Sequence, residues 1–246
     1  MMRLILNGAG GRMGAVVKAL IAEKGAELDA CISGETDPAG QGGYPPIQNS
    51  SVTGDLVLDF SHHSSVNDLL PWAAARSLPV IIATTGHTPE ELAKINEFSK
   101  VIPVFFASNL SMGVALLAEF AKKAAAAFPG ADIEIVETHH NRKLDAPSGT
   151  AITLAKAVQA GRPDNTIAYG RSGMGKRKPG EITVHALRMG NISGQHEIHI
   201  TTDHEQLTLR HEAYDRTLFA EGAMVAARFL LGKGAGLYGM EDILNG

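Results

Sequence analysis

Leu4-Ile5-Leu6-Asn7-Gly8-Ala9-Gly10-Gly11-Arg12-Met13-Gly14 opens on three strongly apolar residues and runs directly into a glycine-rich turn. Beyond it Val16, Val17, Leu20 and Ile21 recur three and four apart, which predicts a helix with one apolar side. A second strand is expected at about 27–32. Strand, glycine turn and helix in that order is the setting in which a glycine run holds a dinucleotide. The glycines let a pyrophosphate approach the backbone, and the helix start offers N–H groups that lack intrahelical partners. The strict G-x-G-x-x-G pattern fails at its last position, Met13, and the glycines fall at 8, 10, 11 and 14. By itself the run leaves a purely structural turn open.

The same alternation continues outward. Strands are expected at Leu56–Phe60, Pro79–Ala83 and Val101–Phe106, with helices between them at about 66–76 and 90–99, the second opened by Thr88 and Pro89. Repeated strand and helix predict a parallel, doubly wound sheet. From 35 to 54 Gly, Pro, Ser and Asn dominate, which reads as a surface connection. Where a ribose-binding acid often ends the second strand, the sequence has Ser33 and Gly34, with Glu35 just beyond. Without a carboxylate there the usual argument for NADH weakens, while Ser33 and Arg12 together suit a 2′-phosphate. NADPH is therefore expected to serve at least as well as NADH. His62 and His63, just past the third strand, read as loop residues capping the next helix.

A second stretch carries the chemistry. Residues 132–151, DIEIVETHHNRKLDAPSGTA, begin as a short strand, pass through a polar loop holding His139, His140, Arg142, Lys143 and Asp145, and become helical from Thr150 with Ser148 or Thr150 as cap. An imidazole, with an unperturbed pKa of about 6.5, gives or takes a proton near neutral pH. Lys143 adds positive charge, and backbone N–H groups at a helix start near Gly149 and Thr150 suit a carboxylate or phosphate. An isolated His-His pair would be ordinary surface. Few structural loops need that pair, a lysine and Ser-Gly-Thr together.

Composition narrows the partners. With 246 residues and 44% hydrophobic content the chain can bury one large core or two smaller ones. A net charge of −4 argues against nucleic acid and points to small metabolites. Cys31 is the only cysteine, which excludes an internal disulfide and a cysteine zinc cluster and fits a reducing, cytoplasmic compartment. No apolar run is long enough to span a membrane, and the start has too short an apolar core for a signal peptide.

Other readings fit worse. Gly170 to Lys176 imitates a P-loop, but Arg177 stands where Ser or Thr must bind magnesium, and Pro179 denies the helix. Ten histidines suggest a metal hydrolase, but H-E-x-x-H is lacking, and His196 and His199 lie three apart on an expected strand, hence on opposite faces. No metal is expected. No Tyr-x-x-x-Lys pair serves a short-chain dehydrogenase.

Glu137-Thr138-His139-His140-Asn141-Arg142-Lys143, followed by Asp145-Ala146-Pro147-Ser148-Gly149-Thr150, resembles the long E-x-H-H-x-x-K-x-D-A-P-S-G-T-A signature of the 4-hydroxy-tetrahydrodipicolinate (dihydrodipicolinate) reductase family. The glycine turn, Asp59-Phe60-Ser61, the Ala83-Thr84-Thr85-Gly86 turn and the C-terminal Leu237 to Leu244 resemble it too, so the likeness spans nearly the whole chain and is loosest from Ser33 to Gly54.

The resemblance implies an NAD(P)H-dependent reductase of the diaminopimelate route to lysine, acting on a small dicarboxylate. It implies that Gly8, Ala9, Gly10, Gly11, Arg12 and Met13, then Ala83, Thr84 and Thr85, then Ala107, Ser108, Asn109 and Leu110 line the cofactor site. His87 follows a position that the family often fills with an aromatic residue. His139 is implied as acid/base group, Lys143 as proton donor or electrostatic stabiliser, and His140, Ser148, Gly149 and Thr150 as holders of the substrate carboxylates. A non-catalytic nicotinamide sensor is the competing class; it would be marked by loss of the proton donor, and His139 and Lys143 are both present.

For the remainder, 112–128 reads as a long helix, 161–180 as a loop, and 181–189, 195–202 and 206–214 as strands joined by short turns and therefore antiparallel. With the strand at Ile133 they make a mixed four-stranded sheet, one face covering the long helices and the other meeting another subunit; the family builds a homotetramer on it. The expected fold is thus a Rossmann-like doubly wound parallel sheet plus a second, α+β domain. Residues 1–108 and 216–246 would form a discontinuous dinucleotide-binding domain, and 109–215 the substrate-binding and oligomerisation domain.

Overall fold

Leu4, Ile5 and Leu6 are all fully buried, because their strand, β1 (Met2–Asn7), lies inside a sheet covered on both faces. In the computed structural model, which describes residues 1–246, the chain divides into two units, Met1–Ser111 with Arg216–Gly246, and Met112–Asp215.

The first unit continues with α1 (Arg12–Lys24), β2 (Ala30–Thr36), β3 (Leu56–Asp59), α2 (Val66–Ala74), β4 (Val80–Ile82), α3 (Pro89–Phe98) and β5 (Pro103–Phe106). The second holds α4 (Met112–Ala127), β6 (Asp132–His139), α5 (Gly149–Gly161), β7 (Thr166–Tyr169), β8 (Glu181–Arg188), β9 (Gly194–Thr201) and β10 (Gln206–Ala213). The chain then returns to the first unit with α6 (Thr217–Leu230), β11 (Gly236–Tyr238) and α7 (Met240–Asn245).

The first unit's six strands are all parallel, in the order β11-β5-β4-β3-β1-β2. Side chains alternate between two cores, as the period of a strand requires. Leu4, Leu6, Leu58 and Phe105 pack with Val17, Leu20, Ala223 and Met224 of α1 and α6, whereas Ile5, Val57 and Ile82 pack with Leu69, Leu70 and Ile95 of α2 and α3. Strand order reverses between β1 and β3, and the crevice above the carboxyl ends of such strands is where open parallel sheets bind ligands.

Two expectations change. The second strand does not stop at 32 but runs to Thr36. Leu4 pairs with Ile32 and Ile5 with Gly34, which leaves Ser33 as the extra residue of a bulge, its Oγ donating to the Thr53 carbonyl at 2.8 Å. Bulge and glycine interrupt the alternation that marks a strand. Ser33 therefore lies within the strand, and the residue past its end is Asp37.

The second unit's sheet has five strands rather than four, in the order β10-β9-β6-β8-β7. The addition, β7, is the four residues Thr-Ile-Ala-Tyr inside the stretch expected to be loop, too few for a period to register among neighbouring breakers. β6 inserts between β8 and β9, parallel to the first and antiparallel to the second. Leu117, Ala121, Leu154 and Val158 of α4 and α5 cover one face against Ile133, Ile135, Ile182, Val184, Ile198 and Ile200.

Candidate functional site

Ile133 and Ile135 face the helices, so Glu137 and His139, two and four residues further along β6, face the same way. Register brings partners to that face. Glu137 lies opposite His196 of β9, and His139 pairs with Arg188 of β8. The covered face is thus apolar at one end of β6 and polar at the other, beside the start of α5.

Glu137 is the centre of the polar end and is fully buried. The His139 Nδ1–H donates to its Oε2 at 2.5 Å. Arg188 grips both oxygens, at 2.9 and 2.7 Å, and the Ser148 backbone N–H donates to Oε1 at 2.9 Å. Burial alone would raise this carboxyl, but the bonds from His139, Arg188 and Ser148 outweigh it and hold it down to about 2. Ser148 caps α5, its Oγ accepting the Ala151 N–H at 3.2 Å. The same Oγ lies 3.2 Å from His196 Nε2, and the His196 ring meets that of His139 edge to face with centroids 5.2 Å apart. Burial first, then the positive charge of its neighbours, lowers His196 to about 4, so it stays neutral beside His139.

Glu137 takes His139 Nδ1, which leaves Nε2 for proton transfer. Space at that atom depends on Gly194, where a Cβ would come within 3.0 Å of it. The turn after β8 arches over this end of the sheet, with His140 N donating to the Ile192 carbonyl at 2.8 Å and Met189 N to that of His139 at 2.9 Å. Lys143 Nζ lies 2.9 Å from Asp145, and Arg188 also donates to the Asp145 carbonyl at 2.5 Å. Gly149 and Thr150 form the first turn of α5, whose amides an α-helix leaves without intrahelical acceptors. Together these groups can hold an anion, carry a proton and stabilise negative charge.

The structure therefore gathers His139, His140, Lys143, Ser148, Gly149 and Thr150 around one end of β6 and α5. Sequence reasoning missed Glu137, Arg188, Gly194 and His196 as site residues. Glu137 was legible, since it lies two positions from His139 on a strand. The other three arrive only through pairing with β8 and β9.

In the first unit, Gly8 has a φ of +88°, and a Cβ there would strike the backbone of Phe60 and Ser61 at 2.8 Å. The turn opens α1 with no side-chain cap at Gly11 and no acidic residue in the first turn. A phosphate fits such a helix start, because nothing anionic from the helix competes for its N–H groups. Asp37 accepts the Gly10 N–H at 3.2 Å and the Ala39 N–H at 2.9 Å. Beneath the turn, buried Asp59 receives Asn7 Nδ2 at 2.8 Å, Ser61 Oγ at 2.5 Å and Ser65 Oγ at 3.0 Å; burial still pushes its carboxyl up to about 6. The turn at Ala83, Thr84 and Thr85 follows β4, with Ala83 N donating to the Asp59 carbonyl at 3.0 Å. Ala107 N donates to the Ile82 carbonyl at 3.1 Å, Asn109 Oδ1 accepts the Ser111 N–H at 2.8 Å, and Leu110 is buried. All three turns thus follow the carboxyl ends of parallel strands.

Comparison with known proteins gives a consistent answer. Residues 2–110 match the family profile described as dihydrodipicolinate reductase, N-terminus, and residues 113–244 the one described as dihydrodipicolinate reductase, C-terminus. A 4-hydroxy-tetrahydrodipicolinate reductase of Caldanaerobacter subterraneus subsp. tengcongensis is 42% identical over 248 residues, covering 100% of this chain and 99% of that protein. One from Akkermansia muciniphila is 40% identical, covering 100% and 98%. Among solved structures, a dipicolinate-bound dihydrodipicolinate reductase from Paenisporosarcina sp. TG-14 superposes with a TM-score of 0.80 at 25% identity, over 99% of each chain.

Proposed function

The chain belongs to the dihydrodipicolinate reductase family, and from that premise we propose that it reduces 4-hydroxy-tetrahydrodipicolinate to tetrahydrodipicolinate in the diaminopimelate route to lysine. The single observation that carries the assignment of roles is the buried Glu137 carboxylate, which joins His139 to the start of α5.

His139, held through Nδ1, is the acid/base group and delivers the proton that completes the reduction from Nε2. Lys143, parked on Asp145 in the structure, stabilises the negative charge that develops on the substrate ring or assists the proton. His140, with Ser148 and the Gly149 and Thr150 amides, holds the substrate carboxylates. Half-buried Arg188, through Glu137, and neutral His196, through Ser148, keep these groups in place.

When bound, the reduced nicotinamide supplies the hydride. Gly8 to Met13 would hold its nucleotide together with Ala83 to Thr85 and Ala107 to Leu110. Ser33 is not among these residues, since its hydroxyl serves the bulge in β2. The carboxylate past the end of β2, Asp37, is buried and accepts the Gly10, Ala39 and Gln41 N–H groups, so what it contributes there is a negative charge that disfavours a 2′-phosphate. The preference accordingly tips toward NADH, the reverse of the expectation drawn from Ser33, and a kcat/KM that favours NADPH would defeat this part.

The sheet face turned away from α4 and α5 carries Arg177 on Glu134, His185 on Glu134 at 2.7 Å, and Arg210 on Glu197 at 3.0 Å, with Leu187 exposed. This charged, hydrogen-bonded face suits self-association into a homotetramer, and light scattering that shows only a monomer at micromolar concentration would count against it. No helix is long and apolar enough to cross a membrane, and a cytoplasmic location is part of the proposal.

The decisive experiment is a nicotinamide oxidation assay with freshly made substrate, comparing NADH and NADPH. Turnover with either supports the reading, and none with both overturns it.

A further inference from the structure

Three histidines of the first unit remain unused by this account. His62 and His63 follow β3 at the point where strand order reverses, and His87 follows β4. Their rings form one cluster, with centroids 4.0 Å apart for His62 and His63 and 6.2 Å apart for His63 and His87. The cluster sits among the turns assigned to the nucleotide. Gly8 packs against Phe60 and Ser61, directly before His62, and a Cβ on Gly86 would lie 3.9 Å from the His63 ring.

Each ring is held through one nitrogen. His63 Nδ1 lies 2.8 Å from Glu91, His62 Nδ1 lies 2.9 Å from Ser64 Oγ, and His87 Nε2 lies 3.1 Å from Thr84 Oγ1, with the His87 ring edge-on to Phe106. The second nitrogen of each ring remains for another partner.

We propose that His62, His63 and His87 form a proton-dependent contact for the diphosphate of the bound nucleotide, which gains positive charge at the switch point of the sheet as pH falls. The proposal rests on the nucleotide reading above. Glu91 is the charged group that faces the cluster from α3; the Thr88 N–H holds its carboxyl down, against burial, and His63 adds to the effect. Asp59 lies below, engaged by Asn7, Ser61 and Ser65. With the imidazoles neutral, the cluster and Glu91 carry one net negative charge; with all three protonated, they carry two net positive charges. Burial lowers His87, against the opposing pull of Glu91. Three cations packed this closely repel one another, and a diphosphate relieves that repulsion, which couples proton uptake to nucleotide binding.

The test is calorimetric titration of the full chain with NADH between about pH 8 and pH 6, the range in which imidazoles change charge. NADH is the probe because it lacks a 2′-phosphate, which itself titrates near pH 6. The Kd should tighten about fivefold across that range at low salt, and less at high salt. The double variant H62N/H63N should lose most of this dependence; His62→Asn alone, at an exposed position, should show part of the loss. A dependence as steep in the double variant as in the parent overturns the proposal. Absence of NADH binding by the parent at every pH would overturn the nucleotide reading itself, and this inference with it.

Discussion

His139 Nδ1 lies 2.5 Å from Glu137 Oε2, and Glu137 has no exposed surface. A carboxylate so placed fixes which imidazole nitrogen carries hydrogen toward the protein and which faces the reaction. Glu137→Gln keeps the shape and loses the charge. Its kcat should fall about 100-fold with little change in the nucleotide KM, and the Arg188 guanidinium left without its partner should cost about 3 kcal/mol in urea unfolding. A kcat within threefold of the parent would show that the pair does not orient the acid.

Replacing the acid itself is a separate test. His139→Gln should lower kcat by about 10² to 10⁴ while leaving the nicotinamide KM nearly unchanged, as loss of a general acid does. A loss under threefold would remove His139 from the chemistry.

Stability should depend on pH through two neighbours in different windows. His196 sits at about 4 against an ordinary 6.5, so below 6.5 the unfolded chain takes up a proton that the fold refuses. Its contribution is present above 6.5 and is lost as pH falls toward 4. Glu137 sits at about 2 against 4.5; its contribution is full above 4.5 and is lost as pH falls toward 2. His196→Gln should flatten the upper window in urea denaturation and leave the lower one. An unchanged slope between about pH 6.5 and 4 would contradict this assignment.

Gly194 keeps His139 Nε2 accessible, since a Cβ there would come within 3.0 Å of that atom. Gly194→Ala should displace the imidazole and lower kcat by about tenfold or more, because small misplacements of a reacting group are costly. Steady-state kinetics checks it, and circular dichroism that matches the parent would show that the sheet survives. Unchanged kcat would mean that the ring does not act through Nε2.

Much of this protein was legible locally. The parallel sheet of the first unit follows from apolar runs separated by helical periods, and the start of α5 from Ser148 before Gly149. His139, Lys143 and Ser148 lie within ten residues of one another, so a single stretch announces them. The end of β2 was misread because the bulge at Ser33 interrupts a period that the backbone nonetheless continues. β7 was missed because four residues hold too little pattern.

The sequence by itself set out most of the strands and helices in order and singled out the glycine turn, the start of α5 and His139, since each is a matter of neighbours along the chain. Only the tertiary structure decided what surrounds that imidazole. Arg188, Gly194 and His196 lie roughly fifty residues further along and reach His139 through the register of β8 and β9 on either side of β6. The physical reason is that a strand's own period sets which face a side chain takes, while its neighbours on that face come from pairing, which no local pattern records.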